Sequence, residues 1–212
     1  MPKAKSKIVS GLLFFLGFGF AHHLLGDTLK NRGLRILLLT NSFILLAGAM
    51  LGPIQAIFVD KVGGDLMDAG IAGGIFSLVA GITVLLSGKF ADKIKEPELV
   101  VVIGYIIMAF GFLSYLLVNS TTSLFIVQAI IGFGDAIYNP PFDALYSRHL
   151  DPGKSGSQWG TWEAMNYFTV SIGAVFGGII AKNFGFTPLF VIMTFLCLAS
   201  AVYIYFLPRK VL

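Results

Sequence analysis

Residues Gly88 to Glu98, GKFADKIKEPE, set three lysines, two glutamates and one aspartate in eleven positions. On either side, about 69–87 and 98–118, the chain is apolar, and each flank has the roughly 20 residues that a helix needs to cross a bilayer. A short charged turn between two such flanks reads as the connection of a membrane hairpin. The rest of the chain agrees: 56% of its 212 residues are hydrophobic and 12% are charged, against roughly 25% charged in soluble domains. With a mean hydropathy of +0.84 there is room for membrane spans and little else. No separate soluble domain is expected within these residues. The single cysteine, Cys197, excludes an intrachain disulfide.

Working outward from the loop, apolar segments fall at about 34–59, 69–87, 98–118, 122–142, 158–181 and 187–207. Turn or charge signals bound each one: Gly63-Gly64, the quoted loop, Asn119-Ser120, Asp151-Pro152-Gly153, and the stretch from Asn183 to Pro188. The expected fold is all-α, a polytopic bundle of six transmembrane helices in 34–207, with 1–33 before it and a tail at 208–212. Short connections make neighbouring spans antiparallel. On that topology Lys3, Lys5, Lys7, Lys30, Arg32, Arg35, Lys89, Lys93, Lys95, Arg148, Lys154, Arg209 and Lys210 share one side, and only Lys61 and Lys182 lie on the other. The positive-inside bias then places both termini and the quoted loop in the cytoplasm, with the chain in the plasma membrane.

Residues 1–33 form a basic and apolar segment. The run Ile8 to Phe20 is short for a span, and a span there would put the N-terminal lysines outside. An interfacial helix on the cytoplasmic surface is the expectation, with a seventh span or a cleaved signal as alternatives. His22 and His23 are adjacent and cannot share a helix face, so they do not make a metal pair. His149, in a loop after the fourth span, reads as solvated.

Polar residues inside spans are costly and mark pathways or partners. Gln128, Asp135 and Asn139 recur at i, i+7 and i+11 on the fourth span. Glu163, Asn166 and Tyr167 share a face of the fifth span, one turn after Trp159. Asp135 and Glu163 fall at similar depth, and Asn41 on the first span reaches a comparable level. Two carboxylates held close in a poorly hydrated cavity would compete for ionisation, which makes one a proton carrier. Gly70, Gly73, Gly74, Ser77 and Gly81 on the second span, and Gly173 with Gly177 on the fifth, give small faces expected to pack helices closely. Phe76-Ser77 before Gly81 and Phe168-Thr169 before Gly173 repeat one spacing. No nucleophile elbow, metal cluster or phosphate loop is present, so nothing supports an enzyme, a cofactor or a nucleic-acid partner.

Gly88, Asp92 and Lys93, spaced G-x-x-x-D-K between the second and third spans, resemble the loop motif G-x-L-A-D-R-x-G-R-K of major facilitator superfamily (MFS) transporters. Lys95 and Glu96 depart from its second half. Gly132-Phe133-Gly134 with Pro140-Pro141 and Ala144-Leu145 looks like that family's fourth span, with Gln128 where many members carry arginine. Gly173 to Gly178 is similar to the fifth-span G-P-x-x-G-G of its antiporters, with Ala174 for proline. The resemblance covers 34–207, one six-helix half built as a 3+3 inverted repeat. It implies a secondary transporter of a small solute working by alternating access, with the substrate near the midplane between two halves. The second half would be another copy of this chain in a homodimer, or a separate six-helix partner. In the family the motif aspartate sits against a helix start of the opposite half. Here that implies Asp92 near the partner copy's Ser157, Gln158 and Trp159, and Lys93 paired with Asp143 or Glu163. The competing expectation is a non-transporting membrane scaffold with the same fold.

Overall fold

A computed structural model describes residues 26, 28–91 and 93–208 of the chain. Six helices in it are long and apolar enough to cross a membrane: Arg32–Lys61, Leu66–Phe90, Pro97–Leu117, Thr121–Arg148, Ser155–Phe184 and Phe186–Tyr205. They are called the first to sixth spans below. Residues 1–25 and the C-terminal 209–212 lie outside the described part, as do the expectations for them, the His22-His23 pair included.

Local chemistry sets the helix ends. The Asn31 side chain accepts from the Gly33 and Leu34 amides and starts the first span. Asp65 and Asp68 bond reciprocally to one another's backbone N–H at the start of the second. Ser120 and Ser123 form a capping box at the start of the fourth, satisfying amides that have no intrahelical partner. Gly185, at φ +85°, makes the tight turn between the fifth and sixth spans, a conformation that glycine adopts without steric cost.

The first and fourth spans depart most from the sequence reading. The first span is interrupted: an α-helix over Arg32–Leu51 passes through a 3-10 turn at Gly52–Ile54 into a second helix, Gln55–Lys61. The fourth span runs to Arg148, not 142, straight through Pro140 and Pro141. Proline lacks an N–H, so Pro140 leaves the carbonyl of Ala136 without its helical donor. The Ser87 hydroxyl of the second span donates to that carbonyl at 3.1 Å, which is how a neighbouring helix makes proline tolerable in a membrane.

The second span packs on the fourth, the fourth on the third, the third on the sixth, the sixth on the first, and the first on the fifth. Exchanging first with fourth, second with fifth and third with sixth maps this order onto itself, as an inverted three-helix repeat requires. The third and sixth spans form the back of the bundle, and the second and fifth stand at its two flanks.

The small faces behave unequally. Gly173 and Gly177 meet the backbone of the first span at Leu46 and Met50. Gly132 meets Phe76, where an added methyl would lie 2.5 Å from the carbonyl oxygen. On the second span, however, a methyl at Gly70, Gly73, Gly74 or Gly81 would meet nothing within 4 Å. This corrects the expectation of close packing there. The span rests on the fourth through the face holding Ala72, Phe76, Thr83 and Ser87, which turns most of its glycines outward. The spacing echo therefore joins positions that pack differently, since Gly173 is packed and Gly81 is open.

At the end carrying most lysines, the basic end, a polar knot ties three elements. Asn31 donates to the His149 carbonyl at 2.8 Å and to the Asp151 carboxylate at 3.3 Å. Gln158 accepts from the Asp151 amide at 2.8 Å and donates to its carboxylate at 2.9 Å. Tyr146 donates to the Gln158 carbonyl at 2.6 Å. His149 is half-buried rather than solvated, because its ring lies against Gly33 and its Nδ1 is 2.8 Å from the Leu145 carbonyl. Thr28, ahead of the first span, bonds Thr161 at 3.2 Å and so docks the described end of the N-terminal segment on the fifth span.

Candidate translocation cavity

A side-open cavity of about 390 Å³ lies at the front of the bundle, within the range of about 300–1,000 Å³ typical of small-molecule sites. Its wall is mostly apolar, from the first, second, third and fourth spans with Val170 of the fifth. The interruption of the first span contributes Gly48, Gly52, Pro53 and Gln55. The fourth span contributes Gln128, Ile131, Asp135 and Tyr138, a stripe at helical spacing.

Asp135 is the fifteenth residue of the 28-residue fourth helix, at its mid-length, and among the described residues it is the only acid lining the cavity. One carboxylate oxygen accepts from the Tyr138 hydroxyl at 3.3 Å and the other from the Asn139 amide at 3.1 Å. Both partners are on its own helix, which leaves acceptor capacity toward the open space. Gln128, 4% exposed, donates to the Tyr115 hydroxyl at 3.2 Å. Tyr115 stacks on Phe190 at 4.7 Å and meets Phe58 edge-on, so an aromatic cluster borders the cavity at the end opposite most of the lysines.

The other residues expected at the pathway are distributed. Asn139 is joined to Asp135 without lining the cavity. Asn41 is 3% exposed beside Tyr105, behind the cavity wall, and its side-chain oxygen has no hydrogen-bond partner among the described residues. Tyr105 in turn meets Tyr138 edge-on at 4.9 Å. Glu163 and Tyr167 are exposed and Asn166 half-buried on the fifth span, and none of the three lines the cavity. The cavity thus gathers Gln128 and Asp135 and leaves the fifth-span trio on an outer face. Of the loop motif, Gly88 is half-buried and Lys93 exposed, while Asp92 lies outside the described residues. Reading by charge missed Tyr115, Tyr138 and the interrupted first span. The Gly52-Pro53 pair was the available signal for the last of these.

Six membrane-length helices, packed in an order that maps onto itself as an inverted repeat, surround a mostly apolar cavity with one acid at mid-helix, and together they define a polytopic membrane bundle. Residues 37–211 match the family model described as Major Facilitator Superfamily, and the chain belongs to that family. Among curated proteins, 171 residues are 24% identical to an uncharacterized MFS-type transporter of Methanocaldococcus jannaschii, covering 78% of this chain and 42% of that one. Multidrug resistance protein MdtG of Erwinia billingiae is 23% identical, over 89% of this chain and 47% of the relative. The same-named protein of Proteus mirabilis is 25% identical, over 77% and 42%. The chain therefore spans less than half the length of these relatives. No solved structure matches it.

Proposed function

We propose that this chain supplies one six-span half of an alternating-access carrier for a small solute, and that a second copy inserted in the same orientation supplies the other. The observation that carries the reading is the open side of the cavity. Asp135 faces a space walled by one bundle only, and the second and fifth spans that flank it have just 11% of their most apolar stretches buried. Those two flanks, with Glu163 and Tyr167 on one and the open glycines on the other, are the surfaces a second unit would cover. A mid-membrane carboxylate is expensive unless it meets water, a partner or a cation. Asp135 accordingly serves as the proton-exchanging group, with Asn139 and Tyr138 orienting it. Both termini face the cytoplasm in this reading, and Asp92 and Lys93 gate that side.

The curated relatives carry the name multidrug resistance protein, so drug-like organic compounds are the first solutes to try. Liposomes holding the purified chain under an imposed pH gradient are challenged with a panel of fluorescent organic compounds. Saturable flux that depends on the gradient in the wild type, and loses that dependence in Asp135→Asn, is the expected result. Flux with the same pH dependence in both proteins overturns the role of Asp135. Paired units that move nothing in the panel favour the scaffold reading.

A further inference from the structure

A second pocket, of about 260 Å³, opens between the second, third and fourth spans at the basic end. Thr83, Leu86 and Phe90 wall it on one side and Phe133, Ile137 and Pro141 on the other. It does not belong to the translocation cavity. Ile137 follows Asp135 by two residues, which at 3.6 residues per turn points it to the opposite side of the helix. Phe133 and Pro141, four residues before and after Ile137, keep to that side.

Leu86, Phe90 and Phe133 are 55%, 60% and 42% exposed, so the pocket opens sideways rather than into the bundle. Thr83 lies eight residues before the end of the helix at Ala91, about 12 Å at 1.5 Å per residue, close to the half-thickness of the hydrocarbon core. The volume falls below the range of about 300–1,000 Å³ usual for compact ligands. Of its two hydroxyls, that of Ser87 is already committed to the Ala136 carbonyl.

The rim is of opposite character. Lys89 precedes Phe90, and Lys93 and Lys95 flank Ile94, which also lines the pocket. All three lysines are exposed, whereas the acids described beside them are the exposed Glu96 and the buried Glu98. Lysines at the hydrocarbon edge extend their ammonium groups to headgroup level and draw anionic lipid. We infer that this pocket holds one acyl chain of an anionic phospholipid whose phosphate and headgroup rest on Lys89, Lys93 and Lys95. The inference does not depend on what the central cavity transports.

The test uses the full chain in nanodiscs containing equal amounts of phosphatidylglycerol and phosphatidylethanolamine. Detergent extraction and native mass spectrometry then count the retained lipid by headgroup. The wild type is expected to retain phosphatidylglycerol in preference by about fivefold or more, the factor that one lysine near the surface contributes. The combined variant Lys89→Gln, Lys93→Gln, Lys95→Gln, with its topology verified, is expected to keep a lipid and lose the preference. Ile137→Trp fills the pocket and is expected to lose the retained lipid, and Leu86→Trp at the exposed wall does the same should the first variant fold poorly. Equal retention of both lipids by the wild type, a preference for phosphatidylethanolamine, or unchanged retention in the filled variants overturns the inference. So does a wild type that holds no lipid because a second copy of the chain is seated there.

Discussion

Ser87 shows how one hydroxyl lets a helix keep two prolines. Pro140 removes the donor for the Ala136 carbonyl, and Ser87 supplies another at 3.1 Å. Ser87→Ala is expected to destabilise the bundle by about 0.6 kcal/mol, and by no more than about 2 kcal/mol, in thermal or denaturant unfolding in detergent. In a Pro140→Ala background the helix makes its own bond to Ala136, and the same change should cost almost nothing. Equal costs in both backgrounds would show that the bond contributes no stability. Asp135 was legible from sequence because a lone acid in an apolar run stands out. Its tie to Tyr138 and the Gln128–Tyr115 bond were not, since a tyrosine in a span fits a buried core as well as a cavity wall. Asn41 and Glu163 drew notice for the same polar character. Polarity alone could not tell that one is sealed behind Tyr105 and the other faces outward.

At the scale of elements, hydropathy and the turn signals between apolar runs revealed six spans and nearly all their limits, because membrane crossing imposes a length and a composition. Facing was harder. Glycines lower the steric barrier to close approach without saying which neighbour comes close. Gly177→Ala is expected to push the first span off the fifth and cost about 1–3 kcal/mol, an overpacking penalty. Within the single chain Gly74→Ala meets open space, and in detergent that keeps units apart it is expected to be neutral or to stabilise by up to about 1 kcal/mol through helix propensity. Unfolding of the two variants in detergent separates these outcomes. The knot at the basic end was invisible in the sequence because it joins Asn31, His149, Asp151 and Gln158 across three elements. Gln158→Ala leaves the Asp151 amide and carboxylate without a side-chain partner that both now use. A loss of about 1–3 kcal/mol is expected, with the Tyr146 bond intact because it goes to the backbone.

For the whole molecule, the inverted repeat gives the bundle a finished back and an unfinished front. The third and sixth spans seal one side, while the second and fifth flank a cavity whose acid looks out of the chain. In the proposed carrier a second six-span unit closes this front. Cysteine cross-linking in native membranes tests it most directly, using Ser77→Cys on the second span and Tyr167→Cys on the fifth in a Cys197→Ala background. Oxidant-dependent dimers are expected from co-expressed copies carrying the two cysteines, and none from Phe195→Cys, an exposed control on the sixth span. Monomers alone at both flanks, or cross-links no stronger than the control, would contradict it.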